Sequence, residues 1–268
     1  MTVRMWVRRA ALLAAGVFEA PVFSADFEVL LRGGSVFDGS GSPAQRADVG
    51  IVAGRIAAVG DLAFASADRI VDADGLIITP GFIDLHSHAD GGGESGGLRS
   101  NDPLRRAAAN LVTQGITTVV VNQDGRSLID IRRQRDQLEQ AGFGPNAILM
   151  VGHNTIRRAA LDGLDKARAA NPAEIDAMRQ MVRQGLDDGA WGLTAGLEYE
   201  PGIWSTTGEL IALVAELRAD RGIFIVHERS SGIDPLWYVP SLDDDGTVPG
   251  TTLDSVTERI QVAEQNGV

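Results

Sequence analysis

Ile77-Ile78-Thr79-Pro80-Gly81-Phe82-Ile83-Asp84-Leu85-His86-Ser87-His88 is an apolar run that reads as a strand and ends on two imidazoles. Side chains alternate along a strand, so His86 and His88 leave it on the same face, about 7 Å apart at Cα. That separation lets them share one metal ion or clamp a close pair. The chain holds four histidines. His153 follows the apolar run Ala147-Ile148-Leu149-Met150-Val151-Gly152, and His227 follows Ile223-Phe224-Ile225-Val226. Every histidine is thus expected at the C-terminal end of a strand. In an α/β barrel those ends converge on one mouth, where residues distant in sequence form a single site.

Beyond Pro80 the sequence alternates between strand and helix patterns. Strands are expected at Thr117–Asn122, Ala147–Gly152, Gly192–Leu197 and Ile223–Val226, with helices at Pro103–Gln114, Leu128–Ala141, Pro172–Asp188, Thr207–Ala219 and Leu253–Gln265. Asn171 before Pro172, with Glu174 three residues on, is a capping-box start, and Gly189 and Gly222 fit as stops. The rhythm predicts parallel βαβ units. Between Phe27 and about Asp74 the pattern is different: short β-like runs punctuated by Gly33-Gly34, Asp38-Gly39, Ser42-Pro43 and Ala53-Gly54. The expected fold is α/β, a partial metal-dependent (β/α)8 barrel of the TIM type preceded by a small β-sandwich module. The expected divisions are a leader over 1–25, the N-terminal part of the sandwich over 26–76, and the first five to six β/α units over 77–268. A closed barrel has eight such units, so the sequence reads as truncated at its C-terminus.

Composition excludes several classes. With 44% hydrophobic and 22% charged residues the chain can bury a core, and its net charge of -12 without a long basic run argues against nucleic acid as a partner. There is no cysteine, which leaves nitrogen and oxygen as metal ligands. Met1 to Arg9 carries three arginines ahead of the apolar run Ala10–Phe18, a pattern similar to a secretory signal, so a periplasmic or secreted location is expected; without export the protein is cytoplasmic. No other segment approaches the roughly 20 apolar residues of a membrane span. Gly91-Gly92-Gly93-Glu94-Ser95-Gly96-Gly97 lacks the strand-then-helix setting of a phosphate loop and reads as a rim or lid.

Five segments together resemble the amidohydrolase superfamily, and within it the N-acyl-D-amino-acid deacylase (D-aminoacylase) family: Gly33–Gly39 with Gly54-Arg55-Ile56; Pro80–Asp90; Gln114–Val120; Gly152-His153-Asn154-Thr155-Ile156-Arg157; and Gly189-Ala190-Trp191-Gly192-Leu193-Thr194-Ala195-Gly196-Leu197-Glu198-Tyr199-Glu200-Pro201-Gly202. The paired histidines mark the superfamily, and the Gly-His-Asn and Gly-Leu-Glu-Tyr segments point to the deacylase branch. The resemblance implies hydrolysis of the linear amide of N-acyl-D-amino acids by water activated on one or two Zn2+ ions. It implies His86, His88 and His227 as ligands, and a general-base aspartate after an eighth strand, beyond residue 268. Oligomeric state stays open.

Departures from the family pattern sharpen some positions. Where the family usually carries Asn-Cys-Gly after the second strand, this chain has Gln123-Asp124-Gly125. Asp124 is then either an anionic ligand in place of the thiolate or the cap of a turn. An acid is usual where Ser231 stands. Tyr199, Arg126 and Arg229 are candidates to hold a substrate carboxylate; His153 is either a substrate contact or a structural histidine. A cyclic-amide hydrolase of the dihydroorotase or hydantoinase kind is the rival enzyme. It typically bridges its metals with a carboxylated lysine, and Lys166, the one lysine, lies outside every expected strand. A non-catalytic relative or incomplete fragment is the third reading.

Overall fold

The computed structural model describes residues 25–91, 96–161, 166–217, 222–229 and 252–267. The expected leader, apart from Ala25, lies outside them. Two compact units divide at Pro80 and Gly81.

The first unit is a mixed sheet. Strands β1 (Phe27–Val36), β2 (Gln45–Val52), β3 (Arg55–Gly60) and β4 (Ala67–Asp72) are ordered β3-β2-β1-β4, and the short β5 (Ile77–Ile78) also pairs with β1. The β2–β3 hairpin turns on Ala53 and Gly54, both left-handed at φ 50° and 70°. Positive φ at both central residues is what a two-residue turn needs to match the twist of its strands. Leu30 and Val49 are buried, while Ile56, Val59, Ile70 and Ile77 are exposed. The second sheet of a sandwich is not found among the described residues.

The apolar run from Ile77 to His88 is not one strand. Thr79-Pro80 divides it: Ile77 and Ile78 pair with Ser35 and Val36 in the first unit, whereas β6 (Phe82–Asp84) pairs with β7 (Ile116–Val120) in the second. Proline donates no ladder hydrogen bond and restricts the residue before it, so the strand cannot run through.

In the second unit β6, β7 and β8 (Asn146–Ile148) form one parallel sheet, and β9 (Val151–Gly152), β10 (Gly192–Gly196) and β11 (Ile223–His227) form another. β8 and β9 are the two halves of the single third strand expected at Ala147–Gly152. Its break has a cause: the Asn122 side chain takes the Met150 carbonyl at 2.7 Å, in place of a neighbouring strand. Read through that break, five parallel strands lie in chain order, the arrangement of the first five strands of a (β/α)8 barrel.

The helices are α1 (Pro103–Arg106), α2 (Ala109–Val112), α3 (Ile131–Ala141), α4 (His153–Ala160), α5 (Pro172–Asp187), α6 (Thr207–Val214) and α7 (Thr252–Asn266). The helix expected over Pro103–Gln114 is split where Ala108 turns left-handed at φ 46°. The capping box at Asn171 and Glu174 is present. α4 was not expected: the chain passes from β9 into a helix at His153 itself. The core packs Val119, Val121, Leu193 and Leu197 against Ile131, Ile156, Met178, Val182 and Leu213.

One buried ionic cluster pins α4 to α6. His153, Arg157 and Glu209 have fully buried side chains. Glu209 bonds His153 Nε2 at 2.8 Å and Arg157 Nε at 3.0 Å. Arg157 also donates to the carbonyls of Arg168, Trp204 and Pro201. Burial works to raise the Glu209 carboxyl, but the bonds from His153 and Arg157 outweigh it and hold the group below its ordinary 4.5. A depressed carboxylate contributes stability that is complete above the unfolded value and is lost as pH falls through the folded one. The urea midpoint should therefore drop as pH is lowered from about 5 toward 3. Glu209→Gln should flatten that acid limb and cost roughly 3–5 kcal/mol at pH 7, because it leaves Arg157 buried without its counter-charge. An unchanged acid limb in that variant would remove Glu209 from the account.

Candidate metal centre

β6 positions the paired histidines through the residue between them. Ser87 is buried and donates its N–H to the Val120 carbonyl at 3.0 Å, extending the β6–β7 pairing past the strand end. With Ser87 turned inward, His86 and His88 both project the other way. Their rings lie edge-on at 5.4 Å between centroids.

Asp124 comes from the turn after β7, in which Asn122, Asp124 and Gly125 are left-handed at φ 67°, 55° and 72°. Two of these are not glycine, so the turn needs outside support. Asn122 and Gln134 of α3 supply it through a reciprocal amide pair at 2.8 and 3.1 Å, and the Thr194 hydroxyl donates to the Asn122 carbonyl. Gly125 fits under Asn154, where a Cβ would fall 2.1 Å from Oδ1.

The carboxylate of Asp124 meets three imidazoles. Oδ1 lies 3.3 Å from His86 Nε2 and 3.6 Å from His227 Nδ1, and Oδ2 lies 3.3 Å from His88 Nε2. Oδ1 is buried and has no hydrogen-bond partner among the described residues. A buried carboxylate oxygen in that state is costly. Ligand atoms of His86, His88 and Asp124 all lie within 4.8 Å of one another. Zinc bound tetrahedrally at about 2.0–2.1 Å holds its ligand atoms about 3.3 Å apart, so both the spacing and the orphaned oxygen fit a shared cation.

His227 closes β11, and its other nitrogen, Nε2, bonds the Glu198 carboxylate. Tyr199 stacks beside the same ring at 4.7 Å between centroids, with its hydroxyl 3.5 Å from Nδ1. Burial raises the Tyr199 phenol, and the Asp124 and Glu198 carboxylates raise it further, which keeps it a hydroxyl donor at neutral pH. Arg126 is exposed and sets its guanidinium 5.5 Å from the centre of the Tyr199 ring.

Six of the eight expected site residues are thus brought together. Of the other two, His153 takes its structural reading and Arg229 is corrected. His153 is sealed in the cluster with Glu209 and Arg157, not at the mouth, because the third strand bends into α4 at that residue. Arg229 is buried against Glu258 at 2.9 Å and donates to the carbonyls of Ile203 and Ser205, so its fork is already used. Lys166 lies outside the strands and bonds the Leu161 carbonyl. Ser231 and residues 92–95 of the glycine-rich run lie outside the described residues. Glu198 and Asn154 were missed. Both stand in segments quoted above, but their roles rest on contacts 29 and 42 residues away in sequence.

A family model described as "Amidohydrolase family" matches residues 69–233. Among curated proteins, the chain is 37% identical to a D-aminoacylase of Alcaligenes xylosoxydans xylosoxydans over 78% of this chain and 46% of that protein. It is 36% identical to an N-acyl-D-aspartate deacylase of the same organism over 79% and 44% of the two chains. Among solved structures it resembles the N-acyl-D-glutamate deacylase of Bordetella bronchiseptica complexed with zinc and a phosphonate inhibitor. The TM-score is 0.75 at 29% identity, covering 90% of this chain and 50% of that one. The chain spans about half the length of these relatives.

Gly125 and Gly142 separate backbone strain from crowding at this centre. Both have positive φ, at 72° and 65°, but space around a Cβ at Gly142 is open. Gly142→Ala should cost on the order of 1–3 kcal/mol through its backbone alone. Gly125→Ala should cost clearly more, since Asn154 or the turn must shift. Equal melting shifts for the two variants would show that the fit beneath Asn154 does not matter.

Proposed function

We propose, because this chain belongs to the amidohydrolase family, that it carries the metal-binding residues of a zinc-dependent hydrolase cleaving the linear amide of N-acyl-D-amino acids. The observation that carries the reading is Asp124, a part-buried carboxylate that faces the imidazoles of His86, His88 and His227 and whose buried Oδ1 has no hydrogen-bond partner among the described residues. Zinc, the linear amide and the D configuration are read from the relatives that the chain resembles.

His86, His88, Asp124 and His227 would hold the ion. When bound, zinc lowers the pKa of water to about 7 and polarises a carbonyl. Tyr199 keeps its proton and offers it to a substrate oxygen beside that centre. Arg126, exposed over the Tyr199 ring, meets the substrate carboxylate with a forked donor. The leaving amine needs a proton, which the family resemblance assigns to an aspartate after an eighth strand. Asp124 also stands where the rival reading needs a bridging group, and Lys166 is engaged elsewhere. The Met1–Ala25 segment supports export, and no helix among the described residues is long and apolar enough to cross a membrane.

In the full-length protein, zinc-dependent release of a free D-amino acid from N-acetyl-D-amino acids, with L isomers spared, is the expected activity. No release from either isomer by zinc-loaded protein would sink the proposal. Asp124→Ala should lower zinc content and activity together, whereas Asp124→Cys should keep the metal; full metal content in the alanine variant would reduce Asp124 to a turn cap. Arg126→Met should raise KM about 10- to 100-fold, the worth of a lost charged hydrogen bond. It should do so for the acid and not for its carboxamide. An equal rise for both would remove Arg126 from carboxylate binding.

A further inference from the structure

We infer that Glu198 is a positioning residue, whose carboxylate accepts a hydrogen bond from Nε2–H of His227 and so presents the bare Nδ1 of that ring to the metal centre. The inference rests on the metal reading above and adds a residue and a ring tautomer to it. A neutral imidazole has one N–H and one lone pair, and the hydrogen bond made by one nitrogen decides the role of the other. The partner of His227 Nε2 is a carboxylate, which only accepts when ionised, so the proton belongs on Nε2. Nδ1 is then a lone pair facing Asp124 Oδ1 at 3.6 Å. Two acceptors set face to face repel, unless a cation sits between them. The Tyr199 hydroxyl, at 3.5 Å, is too distant to supply a strong bond in its place.

The backbone around Glu198 is built to hold this geometry. β10 and β11 pair with Gly196 opposite His227, and Leu197 N–H donates to the His227 carbonyl at 2.9 Å. On the other side, the Asn154 amide donates to the carbonyls of Gly196 at 2.9 Å and Tyr199 at 3.2 Å. Glu198 is therefore fixed between two anchored residues, with a side chain only 15% exposed. His86 and His88, by contrast, present Nε2 to Asp124 and reach in from exposed loops. His227 stands at its strand end, and uses the nitrogen nearer its own backbone.

The test compares the full-length protein with Glu198→Ala and Glu198→Gln. Two-bond 1H–15N spectra of histidine-labelled, metal-free protein read the tautomer directly. Wild type should show His227 protonated on Nε2; the glutamine variant should keep that signature, because its amide oxygen accepts the same bond, and the alanine variant should show a mixture. Zinc affinity, read by competition with a chromophoric chelator, should fall about 10- to 100-fold in the alanine variant and only a few-fold in the glutamine variant. Wild-type His227 protonated on Nδ1 would overturn the inference even if the alanine variant failed to fold. Unchanged tautomer and zinc affinity in the alanine variant would overturn it and leave the metal reading standing. Wild-type protein that binds no zinc would overturn both.

Discussion

Everything at the mouth depends on a turn that the chain would not adopt unaided. Three of the four residues from Asn122 to Gly125 are left-handed, and two of them carry side chains. Positive φ at a non-glycine residue costs on the order of 1–3 kcal/mol and persists where surroundings over-determine it. Here they do so with buried hydrogen bonds. Asn122 is tied to α3 through Gln134, to the third strand through the Met150 carbonyl and to β10 through Thr194. The same three neighbours form the core around Val121 and Leu193. The aim of Asp124 is thus inherited from rigid core packing, although the residue itself stands on a loop.

The start of α4 is the second anchor, and it joins two loops that each carry part of the site. Thr155 bonds the carbonyls of Gly125 and Ser127, while Asn154 bonds those of Gly196 and Tyr199. The Gly-His-Asn segment therefore serves by placement. Gly152 lets the chain pass the Gly125 carbonyl, which a Cβ would meet at 2.5 Å. His153 faces the buried ionic cluster, and Asn154 holds the loop bearing Glu198 and Tyr199. A shift at any of the three would move ligands that none of them touches.

The legible and illegible parts of this architecture divide by the range of the interaction. Alternation along a strand is local, so His86 and His88 could be placed on one face from their spacing, and the turn-forming Asp124-Gly125 pair marked itself after an apolar run. The parallel order followed from strand and helix periods. His153 stayed between two roles because the rule that put histidines at strand ends says nothing of the backbone bending into a helix at that residue. Arg229 failed for a related reason: its partner Glu258 lies 29 residues further on, and an arginine bound for burial looks the same in sequence as one bound for solvent. Glu198 was invisible as a positioning group because only the β10–β11 register brings it to His227. The single strand drawn through Pro80 ignored a proline that could not join a ladder.

Charge gives the last constraint on the reading. The chain carries a net -12, and the mouth adds Asp124 and Glu198 beside three imidazoles. Such a site repels an anionic substrate by itself. A divalent cation at Asp124 reverses the sign locally, because a bound ion is the largest charge in its surroundings. Arg126, with its guanidinium over the Tyr199 ring, then places the one described cationic side chain of this group at the outer edge. The proposed substrate, an N-acyl amino acid, would bring a polarisable amide carbonyl a short distance from a fixed carboxylate. Under the proposed function the metal and Arg126 are therefore complementary requirements: the first would let an acidic mouth tolerate an anion, and the second would decide which end of that anion stays outside.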